Sequence, residues 1–126
     1  LFGGVLKMSL VVGEDRTEQM QEDFNQVFNG HVQAVSSGYG CLDIIQDGIH
    51  KAWALQELLK RWNIKSEEIM AFGDSENDVE MLELAGIAYA MENADEKAKA
   101  VATDIAPANS QGGVYQVLEA WLDKNR

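Results

Sequence analysis

The sequence predicts an α/β fold in which helices flank a parallel sheet, and three observations support this prediction. Residues 69–72 are all apolar, which suits a short strand buried on both faces, and they lead directly into an acidic turn. From Gly48 onward, helical patterns alternate with short apolar strands, as they do in parallel sheets with crossover helices. Residues 1–46 instead indicate a strand, a helix and two further strands.

The elements of the first third follow from local patterns. Residues 5–12 alternate apolar and polar side chains, as a half-exposed strand does. Asp15 and Glu18 have the spacing of a helix N-cap and its partner. Segments 31–35 and 41–45 predict the second and third strands. The apolar stripe of the intervening helix consists of Met20, Phe24, Val27 and Phe28.

The rest of the chain alternates helices and strands. We expect a helix from near Lys51, a strand at 69–72, a helix at 78–85 and a strand at 87–91. A short helix capped by Asn93 with Glu96 and a strand at 104–106 should follow. The apolar stripe of the closing helix would consist of Val114, Val117, Leu118, Trp121 and Leu122. The change of pattern at 46–48 predicts a domain boundary, with residues 1–46 in one unit and residues 47–126 in the other.

Composition restricts the partners. Ten basic residues against 21 acidic ones give a formal net charge of −11, which argues against a nucleic-acid backbone or an anionic membrane as a partner. The single cysteine, Cys41, cannot form an internal disulfide, which fits the reducing cytoplasm. No apolar run reaches the length of a membrane span, and no signal peptide is visible.

Residues 74–78, which we call the acidic turn, follow the strand at 69–72. They lie at the carboxyl end of a strand, where ligands bind in open α/β sheets. Crowded carboxylates repel one another, and a hard divalent cation, Mg²⁺ above all, would offset that repulsion. The alternative is that these residues only cap the next helix. A calcium loop does not fit, because Val79 and Ala85 stand where such a loop needs Gly and Glu.

Lys51 is the second residue of interest. A lysine in the first turn of a helix lies at the positive end of the helix dipole, which is unfavourable for a cation. One interpretation is an accident of the surface, which would cost only a few tenths of a kcal/mol. The other is that the lysine and the helix end together attract a phosphate group.

Four segments resemble the haloacid dehalogenase-like phosphatases, and in particular their Cof-type branch. Segment 73–82, Gly-Asp-Ser-Glu-Asn-Asp-Val-Glu-Met-Leu, resembles the fourth motif of that family. Segment 42–51 resembles the passage from the cap domain to the lysine of the third motif. Segments 88–94 and 108–114 resemble the family's Ala-Met-x-Asn-Ala turn and its closing Asn-x-x-Gly-Val turn. The resemblance covers essentially the whole chain, in the order of the family.

The resemblance implies a fold and a reaction. The fold would be the C-terminal half of a Rossmann-like core at 47–126, preceded by the end of an α+β cap domain at 1–46. The reaction would be Mg²⁺-dependent hydrolysis of the phosphoesters of small phosphorylated metabolites, through an aspartyl-phosphate.

The same resemblance implies roles for four residues. Asp74 would ligate Mg²⁺, and Asp78 would support the metal indirectly or through water, so both belong to the metal and catalytic set. Lys51 would be catalytic as well, because it offsets the charge of the nucleophile and the phosphate. Asn77 would bind the phosphoryl oxygens, together with Lys51, or position the lysine.

One part of the family's pattern is missing. The nucleophile and the general acid lie in an Asp-x-Asp motif, which occurs nowhere in the 126 residues, and the second motif has no clear counterpart. The start at Leu1 instead of Met agrees with a partial or processed chain. We therefore expect the chain to be inactive alone. Its strand at 69–72 should expose an edge that the missing N-terminal half, or a second copy, covers. The alternative is a non-catalytic binding or interaction module with a vestigial metal site.

Overall fold

The computed structural model describes residues 4–126, which form two three-stranded sheets with five helices. The elements of the first part are β1 (Lys7–Val11), α1 (Thr17–Val27), β2 (Val32–Gly38) and β3 (Cys41–Gln46). Those of the second part are α2 (Lys51–Trp62), β4 (Met70–Gly73), α3 (Val79–Leu84), β5 (Ile87–Met91), α4 (Glu96–Val101), β6 (Asp104–Ala106) and α5 (Gly113–Lys124). Mixed α/β structure with a parallel sheet flanked by helices confirms the predicted fold class.

The first sheet is antiparallel, with the strand order β1-β3-β2. Helix α1 packs on it through Met20 and Phe24, which contact a buried cluster that includes Leu42 and Ile44. Val27 and Phe28, expected on the same stripe, are 72% and 43% exposed. The helix ends at Val27, so these two side chains lie beyond the part of α1 that the sheet covers.

The second sheet is parallel, with the order β4-β5-β6. Its core consists mostly of small side chains, with Leu82 of α3 and Met91 of β5 as the large buried residues. The small side chains are Ala71, Ala88, Ala90, Ala94, Ala98 and Ala106. Because alanine keeps the helices close to the strands, the polar turns that follow the strands are held near one another.

Strand β4 is at one edge of this sheet, since β5 is its hydrogen-bonded neighbour within residues 4–126. The open edge predicted beside residues 69–72 is therefore present in the part of the chain that the structure describes. The strand itself runs one residue later than expected, from Met70 to Gly73.

Two helix starts differ from their predictions. Helix α1 begins at Thr17, after a short 3₁₀ turn (Glu14–Arg16) that contains the expected cap Asp15, and the Thr17 hydroxyl donates to the Gly13 carbonyl at 2.8 Å. Helix α4 is capped by Asp95, whose carboxylate accepts from the Ala98 amide at 2.8 Å. The predicted cap Asn93 instead accepts a hydrogen bond from the Asn109 amide at 2.9 Å. At α4, a hydrogen bond from a residue 16 positions away thus occupies the oxygen that the local pattern assigned to the cap.

The longest helices among residues 4–126, α2 and α5, have 12 residues each. None of the helices in this range combines the length and apolar character that crossing a membrane requires.

Candidate active site

The acidic turn is organised by one buried carboxylate. After β4, the chain makes a 3₁₀ turn (Glu76–Asp78) before α3 begins. The Asp78 side chain is 5% exposed and folds back on the turn, where its Oδ2 accepts from the Asp74 amide at 3.0 Å and from the Ser75 amide at 3.3 Å. These bonds satisfy two backbone donors that would otherwise be unpaired at the end of the strand. Asp78 therefore determines the shape of the loop that carries Asp74.

Gly73 makes room for this arrangement. A Cβ atom at residue 73 would lie 2.6 Å from the Cβ of Asp78 and 3.1 Å from its Oδ2. Contacts that close do not occur between carbon atoms in folded proteins, so a side chain here would push Asp78 away from the amides it binds. The glycine at the end of β4 is thus required by a close approach.

Lys51 reaches the same turn from the first position of α2. Its Nζ forms an ion pair with Asp78 Oδ1 and donates to Asn77 Oδ1 at 3.3 Å. The lysine side chain is half exposed, whereas that of Asp78 is almost fully buried. The structure therefore brings Lys51 together with Asn77 and Asp78, which follow it by 26 and 27 residues in the sequence.

Asp74 is adjacent but oriented differently. Its Oδ1 accepts from the Ser75 hydroxyl at 3.3 Å, and its backbone carbonyl accepts from the Asp95 amide at 3.0 Å. Neither contact involves Lys51. The Asp74 carboxylate thus differs from that of Asp78 in making no ion pair among residues 4–126.

These residues fit a metal ion only in part. Carboxylate oxygens are the ligands that Mg²⁺ prefers, and Asp74 can offer one. Both oxygens of Asp78 are already engaged by Lys51 and by backbone amides, which fits indirect support better than direct ligation. Within residues 4–126 no three His, Cys, Asp or Glu side chains are grouped closely enough to hold an ion. Among the described residues of the acidic turn, Asp74 is therefore better placed than Asp78 to ligate a divalent cation directly.

A cavity of about 300 Å³ lies next to the contact of Lys51 with Asn77. Lys51, Asn77 and Glu80 line it from the second part of the chain, together with Ile49, His50 and Ala54. Lys7, Val35, Asp43 and Ile45 line it from the antiparallel sheet. The cavity thus lies between the antiparallel sheet on one side and α2, the acidic turn and α3 on the other.

Lys7 and Asp43 are site residues that the sequence did not reveal. Asp43 is 7% exposed, and it accepts from Lys7 Nζ at 3.0 Å and from Ser9 Oγ at 2.6 Å. The sequence pattern indicated only that Lys7 and Ser9 share the polar face of a strand. Ser9 is paired with Asp43 across β1 and β3, and the linear sequence does not show how these two strands pair.

Burial and hydrogen bonding act on Asp43 in opposite directions. Burial by itself raises the pKa of the Asp43 carboxyl, but hydrogen bonds from Ser9 and Lys7 and the charge of Lys7 outweigh it. The pKa therefore lies below its ordinary value, and the carboxylate is ionised at neutral pH. The cavity wall carries a paired anion and cation.

A second ion pair joins the acidic turn to the helices around it. Glu76 Oε1 accepts from Lys97 Nζ of α4 at 2.8 Å and from Gln21 Nε2 of α1 at 3.1 Å. The hydrogen bond to Glu76 raises the pKa of Lys97. On the same side, Gly38 at the end of β2 lies against Ser75, since a Cβ there would be 3.3 Å from its hydroxyl. The antiparallel part thus contacts the acidic turn directly.

Comparison with known proteins gives consistent matches. The sequence model of the haloacid dehalogenase-like hydrolases matches residues 3–118. The chain is 36% identical over 116 residues to the 5-amino-6-(5-phospho-D-ribitylamino)uracil phosphatase YbjI of Escherichia coli, covering 92% of this chain and 43% of that protein. It is also 36% identical over 88 residues to a phosphoglycolate phosphatase of Archaeoglobus fulgidus, covering 70% and 39%.

A solved structure agrees with these relatives. The crystal structure of SMU.1108c from Streptococcus mutans superposes with a TM-score of 0.89 at 43% identity, covering 94% of this chain and 45% of that one. The chain thus spans less than half the length of the relatives it matches. The resemblance to Cof-type phosphatases noted in the sequence is confirmed, and the chain belongs to the haloacid dehalogenase-like hydrolases.

Proposed function

We propose that the full-length protein containing this chain is a Mg²⁺-dependent phosphatase of small phosphorylated metabolites, which acts through an aspartyl-phosphate. The observation that carries the proposal is the contact of Lys51 with Asn77 and Asp78, beside Asp74, at the carboxyl end of a parallel strand. That edge is where ligands bind in open α/β sheets. Membership in a hydrolase family whose relatives include phosphatases supports the reaction type.

In this proposal, Lys51 and Asn77 would bind the phosphate, and Asp78 would position the lysine. Lys51 donates one hydrogen bond to Asn77 and one to Asp78. Its half-exposed ammonium group can also bind the oxygens of an incoming phosphate. Asp78 holds the lysine in place and shapes the turn. The Asn77 side-chain amide can donate to a phosphoryl oxygen, since its Oδ1 is the atom that faces Lys51.

Asp74 would contribute a carboxylate ligand to Mg²⁺, whose bound charge would stabilise the phosphoryl group during transfer. The rest of the donor set and the nucleophilic aspartate must come from outside residues 1–126, because no Asp-x-Asp motif occurs in them. Strand β4 has an open edge, and Asp74 follows directly after its last residue. A parallel strand paired with that edge would therefore place its own carboxyl end next to the acidic turn.

We also propose how the chain divides into domains and in which cellular compartment the protein works. Residues 1–46 would be the end of a cap domain and residues 47–126 the second half of the catalytic core, with the substrate in the cavity that both line. The single cysteine suits the cytoplasm. The acidic charge disfavours nucleic acid and anionic membranes as partners.

The test is an assay of the full-length protein with a generic aryl phosphate. We expect Mg²⁺-dependent release of inorganic phosphate, and a loss of at least about a hundredfold in kcat in Asp74→Ala. Lys60→Ala, on the exposed face of α2, is a matched control and should retain activity. Turnover that survives Asp74→Ala, or that does not need a divalent cation, would show that the role given to the acidic turn is wrong.

The second candidate is a non-catalytic binding module with a vestigial metal site. It is favoured by one observation, the absence of a complete metal-holding group among residues 4–126. The gene sequence upstream of Leu1 separates the two candidates. An Asp-x-Asp-x-Thr motif encoded there favours the phosphatase, whereas a natural start at Leu1 favours the binding module.

A further inference from the structure

The cavity beside Lys51 has a second polar end. Lys7 on β1 and Asp43 on β3 face the same space as Lys51 and Asn77, but they come from the antiparallel sheet. A phosphate held by Lys51 and Asn77 would leave the remainder of its ester to be contacted by this sheet. The Lys7–Asp43 pair is therefore in position to contact the group that is released by hydrolysis.

This pair carries one charge of each sign. Asp43 is buried and receives hydrogen bonds from Lys7 and Ser9, which keep it ionised. Lys7 uses one N–H on Asp43, and its side chain is 53% exposed, so its other donors remain available to a ligand. The pair thus offers a donor next to an acceptor, with no net charge.

The rest of the cavity sets the size and polarity of the ligand. Val35, Ile45, Ile49 and Ala54 give it apolar walls. Its volume of about 300 Å³ is at the lower end for small-molecule sites. These walls accept the carbon skeleton of a small ester, but they cannot solvate an additional charge.

We infer that Lys7 and Asp43 determine specificity, and that they favour phosphate monoesters whose leaving group is neutral and carries adjacent hydroxyls over those whose leaving group carries a carboxylate. One hydroxyl can donate to Asp43 while its neighbour accepts from Lys7. A carboxylate in the same place could accept from Lys7, but it would lie next to the Asp43 anion and against the apolar walls. This inference rests on the proposed phosphatase function.

The test compares two small substrates of the full-length protein, erythritol 4-phosphate and phosphoglycolate, by the ratio of their kcat/KM values with Mg²⁺. We expect the wild type to prefer the neutral polyol ester by about tenfold. Lys7→Met leaves the Asp43 charge unopposed and should increase that preference. Asp43→Asn leaves the Lys7 charge unopposed and should decrease it by about tenfold or reverse it.

The opposite signs distinguish a specificity role from a structural one, since a general loss of folding would lower both kcat/KM values together. Lys60→Met is the matched control, because Lys60 forms an exposed pair with Glu57 at 2.7 Å on α2, and its ratio should stay within about twofold of the wild type. Ratios that both site variants leave unchanged, or shift in the same direction, would overturn the inference.

Two further measurements decide the outcome if a variant does not fold or if no ester is hydrolysed. If Asp43→Asn does not fold, the wild-type ratio and the half-exposed Lys7→Met decide, and a wild type that prefers phosphoglycolate refutes the inference. Turnover of the aryl phosphate distinguishes a failure of the specificity role from a failure of the proposed phosphatase function. If the aryl ester is hydrolysed and the ratios do not move, only the specificity role fails. If the wild type hydrolyses none of the esters, the proposed function fails and this inference with it.

Discussion

At the scale of single residues, the site depends on how closely the backbone of β4 approaches Asp78. The carboxylate binds two amides of the turn with one oxygen and Lys51 with the other, so any shift of Asp78 changes both the loop and the lysine. A buried carboxylate that loses such partners is costly, since it keeps its desolvation without the compensating bonds. Gly73 is the residue that permits the approach.

Gly73→Ala should therefore lower the free energy of unfolding by about 1–3 kcal/mol, because its methyl group would overlap the Asp78 side chain. Urea denaturation of the 126-residue chain measures the change. Gly4→Ala is the control, since a Cβ there meets no atom within 4 Å, and it should alter the free energy by less than about 0.5 kcal/mol. Equal effects of the two substitutions would contradict the close approach.

At the scale of elements, Glu76 couples α1 to α4 through the acidic turn. It accepts from Gln21 on one side and from Lys97 on the other, so it helps to hold α1 near α4. Glu76 is only 21% exposed in its side chain, but that of Lys97 is 64% exposed, which limits the strength of the pair.

Glu76→Ala should loosen α1 selectively. Hydrogen exchange of α1 amides that open locally should accelerate by about two- to fivefold, while that of β5 amides in the core of the second sheet stays unchanged. Glu83→Ala, which removes an exposed carboxylate of α3, serves as the control and should leave α1 unaffected. Uniform acceleration across α1 and β5 would instead indicate global destabilisation and refute a specific coupling.

The elements also show what the sequence can predict. Strands β5 and β6 have the predicted bounds and α2 begins at the predicted lysine, because apolar runs and helical periodicity are local signals. The meeting of Lys51 with Asn77 and Asp78 agrees with the grouping that the resemblance implied. The cap of α4 was predicted wrongly, because the amide of Asn109 occupies the Asn93 oxygen. Lys7 and Asp43 were missed because their contact depends on strand pairing.

At the scale of the whole molecule, exposed apolar side chains of α5 lie beside the edge strand of the second sheet. Four residues of the α5 stripe that the sequence predicted to be covered are between 39% and 50% exposed: Val114, Leu118, Trp121 and Leu122. Val117 of the same stripe does pack against the core. Leu118 and Trp121 border a groove with Ile69 and Met70, next to the open edge of β4. The unpaired strand and the uncovered helix face are thus adjacent.

The 126-residue chain alone should associate in solution and should be inactive. An apolar parallel strand with an open edge and a neighbouring apolar groove tolerates water badly, so we expect the chain to be associated in solution. Its partner would be the N-terminal half proposed for the full-length protein when that is supplied, or a second copy when it is not. We also expect no phosphatase activity from it, because Lys51 and Asn77 can hold a phosphate but no nucleophile motif is present.

Sedimentation and an aryl phosphate assay with Mg²⁺ measure these two properties in the same sample. Replacing Met70 and Trp121 by lysine provides the matched variant, because charges at the edge and in the groove should shift the chain toward the monomer. Glu57→Lys, an exposed change on α2, should leave the association state unaffected. A clean monomer of the wild-type chain that hydrolyses the ester would be incompatible with both expectations. A silent monomer would refute the association alone, and it would mean that the exposed groove and the edge of β4 are stable in water without a partner.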